Sequence, residues 1–369
     1  MNLARLRGPA VFAAVAVLAL VVAPLLLEPF RLGLLAKYLC FAIVALGIGL
    51  AWGQGGMLAL GHGVFFGLGG YAMGMHLKLV DARGELPDFM VWSGVEHLPA
   101  LWKPFANPVF ALAMVVVGPM LIATLLGLLV FRQRVRGAYF AILTQALAAA
   151  FVILLVGQQG LTGGTNGLTN FFDLFGRDLA ADSTQRGLYF VVAVVLGLLY
   201  LGARQLVNSR FGRLLVAVRD GEDRVRFLGY DPAVVKTVTF AISAGMAGLA
   251  GALFVPVVGI ISPALLGVVP SLELVVGVAV GGRSVLAGAV LGAVVMGYAK
   301  TSFSEQFADG WLYLQGALFV LVMTLAPRGI LGLAATARDA LGRRGGGGRT
   351  GPATRSAEPG AARVMEEVG

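Results

Sequence analysis

Charged residues are scarce in this sequence. Asp, Glu, Lys and Arg make up 13% of the 369 residues, whereas hydrophobic residues make up 58%. Soluble domains usually carry about 25% charged residues, and a water-soluble fold could not bury this much apolar surface. The mean hydropathy of +0.86 agrees. The composition therefore indicates a protein whose solvent is the lipid bilayer, where helices are the default spanning element.

Residues for covalent and metal chemistry are also few. The single cysteine, Cys40, lies in an apolar run and has no partner for an intrachain disulfide. The three histidines, His62, His76 and His97, are not spaced as metal ligands, and no carboxylate pair falls within one apolar run. We therefore expect no metal site, and the sequence argues against a membrane enzyme.

A phosphate-binding motif is missing as well, since no G-x-x-x-x-G-K-S/T loop occurs. If this protein works with ATP, the ATPase is a separate chain, and no cofactor is expected in this one. The net charge is +9, but the basic residues lie between apolar runs, as they do in cytoplasmic loops of membrane proteins. Membrane lipid is therefore an expected partner, and nucleic acid is not.

Apolar runs of spanning length recur along the chain. A transmembrane helix needs about 20 mostly apolar residues. On that criterion there are ten predicted spans, near residues 9–27, 32–51, 57–79, 108–130, 138–157, 186–203, 234–258, 270–282, 285–300 and 311–326. The predicted fold class is an all-α polytopic membrane protein with about ten transmembrane helices, some of them interrupted by glycine.

Basic residues are unevenly distributed between the predicted loops. Threading ten spans from a cytoplasmic N-terminus places most of the 28 basic residues on the cytoplasmic side, as membrane proteins prefer. We predict a multi-pass protein of the cytoplasmic (inner) membrane with both termini in the cytoplasm. Residues 1–333 form the predicted transmembrane domain, with a cytoplasmic loop at about 204–236. Residues 334–369 lack an apolar face and are predicted to be a disordered cytoplasmic tail.

Glycine is abundant, with 53 residues, many of them inside the predicted spans. Small residues let helix backbones approach closely, and plain helix packing explains many of these glycines. Glycine with proline can also break a helix, and broken helices at membrane depth are tolerated only where they line a cavity. The candidate breaks are Gln54–Gly56 and Ser262–Pro270, one in each half of the chain.

Polar residues near these breaks or within the spans are candidates for a translocation path. They are Gln54, His62, Thr144, Gln145 and Glu273. A buried carboxylate such as Glu273 is costly in a membrane, which favours a functional role. The alternative is that the polar side chains bond to neighbouring helices and that the carboxylate lies at the membrane interface.

The cytoplasmic loop from Ser209 to Pro232 has a pattern of its own. Val218, Val225 and Leu228 can share one stripe of a short helix, surrounded by charges and followed by a glycine. Such a helix can dock in a groove of a partner protein. It can also be an ordinary solvated loop helix.

The outer loop, residues 161–169, is dense in turn-forming residues. Its polar candidates are Thr162, Thr165 and Asn166. This loop could receive a docking protein or form the outer mouth of a path, or it could be a capped turn without further function.

Several segments together resemble a known family. They are Lys37–Ile43, Leu60–Met75, Leu161–Thr169, Ser209–Tyr230, Val278–Arg283, Ala299–Ser302, Trp311–Tyr313 and Pro327–Gly329. In their order and spacing, from about residue 37 to residue 333, the chain resembles the permease subunits of the branched-chain amino acid family of ABC importers. Within that family it is most similar to the urea-type branch.

The resemblance implies an ABC importer permease fold and a heteromeric machine. A second related permease, two ABC ATPase subunits and an extracytoplasmic solute-binding protein are the implied partners, and ATP is used by the ATPase subunits. The loop within 204–236 then matches the family's ATPase-coupling segment. Its candidate coupling residues are Arg219, Glu222, Asp223, Arg224 and Gly229.

The solute implied by the urea-type resemblance is urea or a short-chain amide, and the alternative is a branched-chain amino acid. Three other classes of protein stay open from the residues alone: a secondary transporter, a passive channel and a structural membrane scaffold. A secondary transporter would need ion-coupling carboxylates in its spans, and only Glu273 qualifies. A passive channel would have no use for a coupling loop.

Overall fold

Helices dominate the computed structural model, which describes residues 23–135, 137–304, 310–325 and 329. Most of the first predicted span and all of the predicted tail, residues 334–369, lie outside these residues. The α-helices, in chain order, are α1 (Ala23–Leu26), α2 (Pro29–Ile48), α3 (His62–Asp81), α4 (Asp88–Trp92), α5 (Pro108–Arg132), α6 (Ala138–Gly157), α7 (Gln159–Thr162), α8 (Asp182–Asn208), α9 (Arg210–Phe227), α10 (Pro232–Val258), α11 (Val268–Gly281), α12 (Leu286–Ser304) and α13 (Trp311–Leu325).

Shorter elements complete the described chain. A π-helical turn, Gly49–Gln54, continues α2, and two 3-10 helices span Lys103–Ala106 and Pro263–Leu265. The strands have two residues each: β1 (Leu168–Thr169), β2 (Asp173–Leu174), β3 (Arg177–Asp178) and β4 (Ile260–Ile261). Strand β1 pairs antiparallel with β4, and β2 pairs antiparallel with β3.

The predicted all-α membrane fold is confirmed. Among the described residues, seven helices are long and apolar enough to cross a membrane. They are α2 with its π-helical turn, α5, α6, α8, α10, α11 with the 3-10 helix before it, and α12. The predicted spans near 57–79 and 311–326 correspond to α3, which has 20 residues, and α13, which has 15. Neither is among the seven.

The centre of the bundle is the packing of α10 against α3 and α5, and glycine makes it possible. The backbone of α3 at Gly69 lies so close to Gly248 of α10 that a methyl group would collide with the Gly248 carbonyl oxygen. Gly251 meets the Phe66 carbonyl in the same way. These contacts match the close approach that small residues allow between membrane helices.

The two predicted helix breaks are present and lie against the same helix, α3. The chain is non-helical at residues 55–61 before α3, and it is interrupted at residues 259–267 before α11. The Gly63 amide, near the start of α3, donates to Ser271 Oγ of α11 at 3.2 Å. Further along α3, Gly70 and Gly74 pack against Ile261. The second break therefore runs along α3 towards the first.

Candidate functional site

The loop predicted to be cytoplasmic folds as a kinked helix between α8 and α10. Ser209 caps α9, because its Oγ accepts from the Gly212 amide at 3.3 Å. The backbone at Gly221 is non-helical (φ −166°, ψ 74°), so α9 consists of two helical pieces. A turn at Gly229 (φ +87°) follows, and Asp231 caps α10 by accepting from the Ala233 amide at 2.9 Å. We call residues 209–231 the coupling segment.

One side of the coupling segment is anchored to the bundle. Leu215, Val218 and Val225 are buried and form a small apolar cluster with Val235 of α10. Leu228 was expected to share this stripe, but it is 76% exposed. The kink at Gly221 and the end of the helix at Phe227 change the direction of the chain before Leu228, so it leaves the buried face.

Glu222 belongs to the anchored side. Its carboxylate accepts from Lys236 Nζ of α10 at 2.5 Å and lies 3.4 Å from the Arg226 guanidinium. Only about a tenth of the Glu222 and Lys236 side chains is exposed. A buried pair of this kind leaves a costly lone charge when one member is removed. Glu222 therefore holds the coupling segment on α10, whereas Asp223, Arg224 and Gly229 are exposed.

An exposed apolar turn ends the coupling segment. Phe227 is 92% exposed, and Leu228 and Tyr230, at 76% and 55%, flank the exposed Gly229. We call Phe227, Leu228 and Tyr230 the apolar turn. The sequence reasoning missed it as a contact surface, although two aromatic residues in a strongly charged stretch were the available signal. Exposed apolar side chains grouped together typically mark a contact with a protein or with the membrane.

Arg219 also belongs to the coupling segment, and its side chain reaches back to the bundle. Its Nη1 donates to the Gly53 carbonyl at 2.9 Å, and its Nε donates to Asp220 Oδ1 at 2.8 Å. The bond from Arg219 lowers the pKa of the exposed Asp220 carboxyl group. A cavity of about 370 Å³ is lined by this part of α9, by the first helix break and by Lys236.

The predicted path residues lie at the end of the π-helical turn, near the first helix break and on α11. Gln54 ends the π-helical turn and donates to the Ser284 carbonyl at 3.0 Å. His62 and Thr144 hold the first break: the His62 Nε2–Ser243 Oγ distance is 2.8 Å, and the Leu60 amide donates to Thr144 Oγ1 at 3.0 Å. Both side chains are buried. Gln145, the next residue of α6, is half-buried.

Glu273 lies apart from the other predicted path residues and carries an ion pair. Its two carboxylate oxygens accept from Lys300 Nζ of α12 at 2.7 and 2.6 Å. Lys37 of α2 is close enough to interact electrostatically with both groups. The carboxylate is thus paired with a cation from a neighbouring helix.

The outer loop is folded back on α6 and on the second break. Thr162 is buried, and its hydroxyl donates to the carbonyls of Leu155 and Gln158. Thr165 and Asn166 are exposed. Pairing of Leu168 with Ile261 joins this loop to the segment that precedes α11. The loop therefore presents two polar side chains outwards and is fixed to a helix break on its inner side.

The membrane-length helices, with a break in each half of the bundle, place the chain among polytopic membrane proteins of the transporter class. More specifically, the chain belongs to the family described as branched-chain amino acid transport system / permease component, which it matches over residues 30–323. The predicted family, and the prediction of a permease rather than an enzyme, are confirmed.

Individual relatives carry the same description. The high-affinity branched-chain amino acid transport system permease protein LivM of Escherichia coli K12 is 26% identical over 340 residues, covering 86% of this chain and 74% of that protein. The corresponding protein LivH of Salmonella typhimurium LT2 is 24% identical over 310 residues, covering 79% and 91%. A probable LivM of Methanocaldococcus jannaschii is 24% identical over 322 residues, covering 79% and 90%.

The names of these relatives refer to branched-chain amino acids. They support the family but give no support to the urea-type branch. No solved structure significantly matches the chain.

Proposed function

We propose that this chain is one permease subunit of an ATP-driven importer for branched-chain amino acids in the cytoplasmic membrane. The family and the named relatives support this solute class. Relatives of both the LivM and the LivH type match the chain, which suggests that a second, related permease pairs with this one. Both termini are proposed to lie in the cytoplasm.

The observation that carries the proposal is the coupling segment. It is clamped to α10 by the Glu222–Lys236 pair and presents the apolar turn away from the bundle. The sequence contains no phosphate-binding loop, so the energy source is proposed to be a separate ATPase. The apolar turn, with Asp223 and Arg224 beside it, is proposed to dock in a hydrophobic groove on such a subunit, as amphipathic helices do on their partners.

The proposed mechanism is alternating access. ATP closes the ATPase dimer, the coupling segments move, and the permease pair opens outwards to receive solute from an extracytoplasmic binding protein. Hydrolysis resets the complex.

The path is proposed to pass the two helix breaks. His62, Thr144 and Gln145 lie near one break, with Gln54 at its inner end, and Glu273 lies beside the other. Thr162, Thr165 and Asn166 belong to the loop proposed to face the binding protein.

Urea is a second candidate solute, because the segments Leu60–Met75 and Trp311–Tyr313 resemble the urea-type branch. Deleting the gene and measuring uptake of labelled leucine and labelled urea at low concentration separates the two. We expect leucine uptake to fall and urea uptake to persist, with both measured again after ATP depletion. Loss of urea uptake alone would assign the chain to urea. Uptake that continues without ATP would contradict an ATP-driven importer.

A further inference from the structure

The hydrogen bond between Arg219 and Gly53 joins the coupling segment to the core of the bundle. The stem of the Arg219 side chain lies over Gly56, where an added methyl group would collide with it. Its guanidinium reaches the end of the π-helical turn, donating to Gly53 at 2.9 Å. Helix C-termini carry unpaired carbonyls and a partial negative charge, and a cation that donates hydrogen bonds satisfies both.

The residues next to Gly53 hold the turn between α11 and α12. Gln54 Nε2 donates to the Ser284 carbonyl at 3.0 Å. The Arg283 guanidinium lies 5.1 Å from the centre of the Trp52 ring, a cation–π distance. Gly53 itself packs directly on the Arg283 carbonyl. Contacts therefore run without interruption from α9, through the end of α2, to the α11–α12 turn.

The element held from both sides is the π-helical turn, Gly49–Gln54. Such turns are rare within helices and are frequent at functional sites. Rewinding one into α-helix shifts the residues after it by one position, about 1.5 Å along the axis and about 100° around it. A two-state element is the physical basis for transmission between distant sites, and an α-helical winding of this turn would be its second arrangement.

We propose that Arg219 is a positioning residue that transmits movement of the coupling segment to the π-helical turn, and from there to the inner ends of α11 and α12. This inference rests on the proposed function as an ATP-driven permease. It differs from the expectation that Arg219 contacts the ATPase, because the side chain faces Gly53 and the ATPase-facing surface is the apolar turn. Loss of Arg219 should therefore separate ATP hydrolysis from transport.

The test uses the complete importer with Arg219→Ala in this chain, purified and reconstituted in liposomes with its binding protein and whichever solute the unsubstituted complex transports. We expect the ATPase subunits to co-purify normally and ATP hydrolysis to stay within about twofold of the unsubstituted complex. Solute taken up per ATP should fall about tenfold, as expected when a charge-assisted hydrogen bond is lost. Asp220→Ala, which removes the other Arg219 partner, is the matched control and should change neither quantity.

A double substitution distinguishes transmission from a local structural effect. Gln54→Ala should also lower uptake per ATP, and Arg219→Ala with Gln54→Ala should be no worse than the stronger single variant, because both act in one series of contacts. Arg219→Lys keeps the charge but not the planar fork, so an intermediate ratio is expected. If Arg219→Ala does not reach the membrane, Gln54→Ala and Arg219→Lys provide the test instead.

Three outcomes would overturn the proposal. They are an unchanged uptake-to-hydrolysis ratio in Arg219→Ala, a parallel loss of ATPase subunits and uptake, and additive effects in the double variant. Failure of the proposed function would be visible separately, because the unsubstituted complex would then bind no ATPase or show no ATP-dependent uptake.

Discussion

His62 is a buried polar side chain whose neighbours are aromatic. Its ring makes edge contacts with Phe65 and Phe240, and its Nε2 lies 2.8 Å from Ser243 Oγ. A buried polar atom left without its partner costs about 1–3 kcal/mol. We therefore predict that Ser243→Ala lowers the free energy of unfolding by this amount.

Thermal unfolding of the detergent-solubilised protein measures the effect. Thr324→Ala is the control, because the Thr324 hydroxyl is exposed and bonds only within its own helix. Equal transition temperatures for the two variants would show that the His62–Ser243 bond contributes nothing.

Gly69 is a second position where the size of the side chain determines whether two helices can pack. An added methyl group would strike the Gly248 carbonyl of α10, a rigid backbone atom. Overpacking of this kind costs about 1–3 kcal/mol, so Gly69→Ala should lower both the thermal transition and the amount of protein in the membrane. Gly197→Ala in α8 is the matched control, since nothing lies within 4 Å of the new methyl group there. That variant should be neutral or slightly more stable.

At the scale of elements, different residues of the coupling segment anchor it to the bundle and form its proposed docking surface. We predict that replacing Phe227 and Leu228 together with Ser removes ATPase co-purification and uptake while leaving stability unchanged, because both side chains are exposed. Truncating a hot-spot side chain at the centre of an interface costs about 2 kcal/mol or more of association. Pull-down from solubilised membranes measures it. Normal ATPase recovery with both residues replaced would place the docking surface elsewhere.

The buried pair of the same segment should behave in the opposite way. Lys236→Met leaves the Glu222 carboxylate without its closest cation, so we predict a loss of stability of about 3 kcal/mol. Replacing the exposed Asp223 with Ala should leave stability unchanged. Heating series on membrane extracts compare the two variants. A Lys236→Met protein as stable as the unsubstituted one would show that the pair does not anchor the coupling segment.

The sequence correctly predicted two helix breaks, but the breaks begin and end at other residues than predicted. The first break begins at Gly55, because helical winding continues through Gln54 as the π-helical turn. The second ends before Val268, because Pro270 lies in the first turn of α11, where its missing amide hydrogen costs no bond. Composition shows where a helix is easily interrupted. The residue at which a helix ends also depends on packing against parts of the chain that are distant in sequence, such as the Arg283 carbonyl against Gly53.

For the whole molecule, the testable property is topology. Cytoplasmic loops are enriched in basic residues, and α9 carries many of them. We predict that reporters fused after Arg134 or Arg226 read as cytoplasmic, and that reporters fused after Lys103 or Arg177 read as extracytoplasmic. Paired reporters of alkaline phosphatase and a fluorescent protein measure both states. Extracytoplasmic readings after Arg134 and Arg226 would reverse the orientation and contradict the proposed contact between the coupling segment and an ATPase.

The sequence by itself determined the membrane class, the helical fold, most of the spans and the family, because these depend on composition, hydrophobic length and the order of short motifs. It also predicted a charged helix within the loop at 204–236, and the structure has one there, α9. Only the tertiary structure decided which side chains of that loop face which way. Glu222 and Asp223 are adjacent and equally charged, yet Lys236 of α10 buries one and leaves the other in solvent. The direction of a side chain is set by contacts from other helices, and a linear pattern does not contain them.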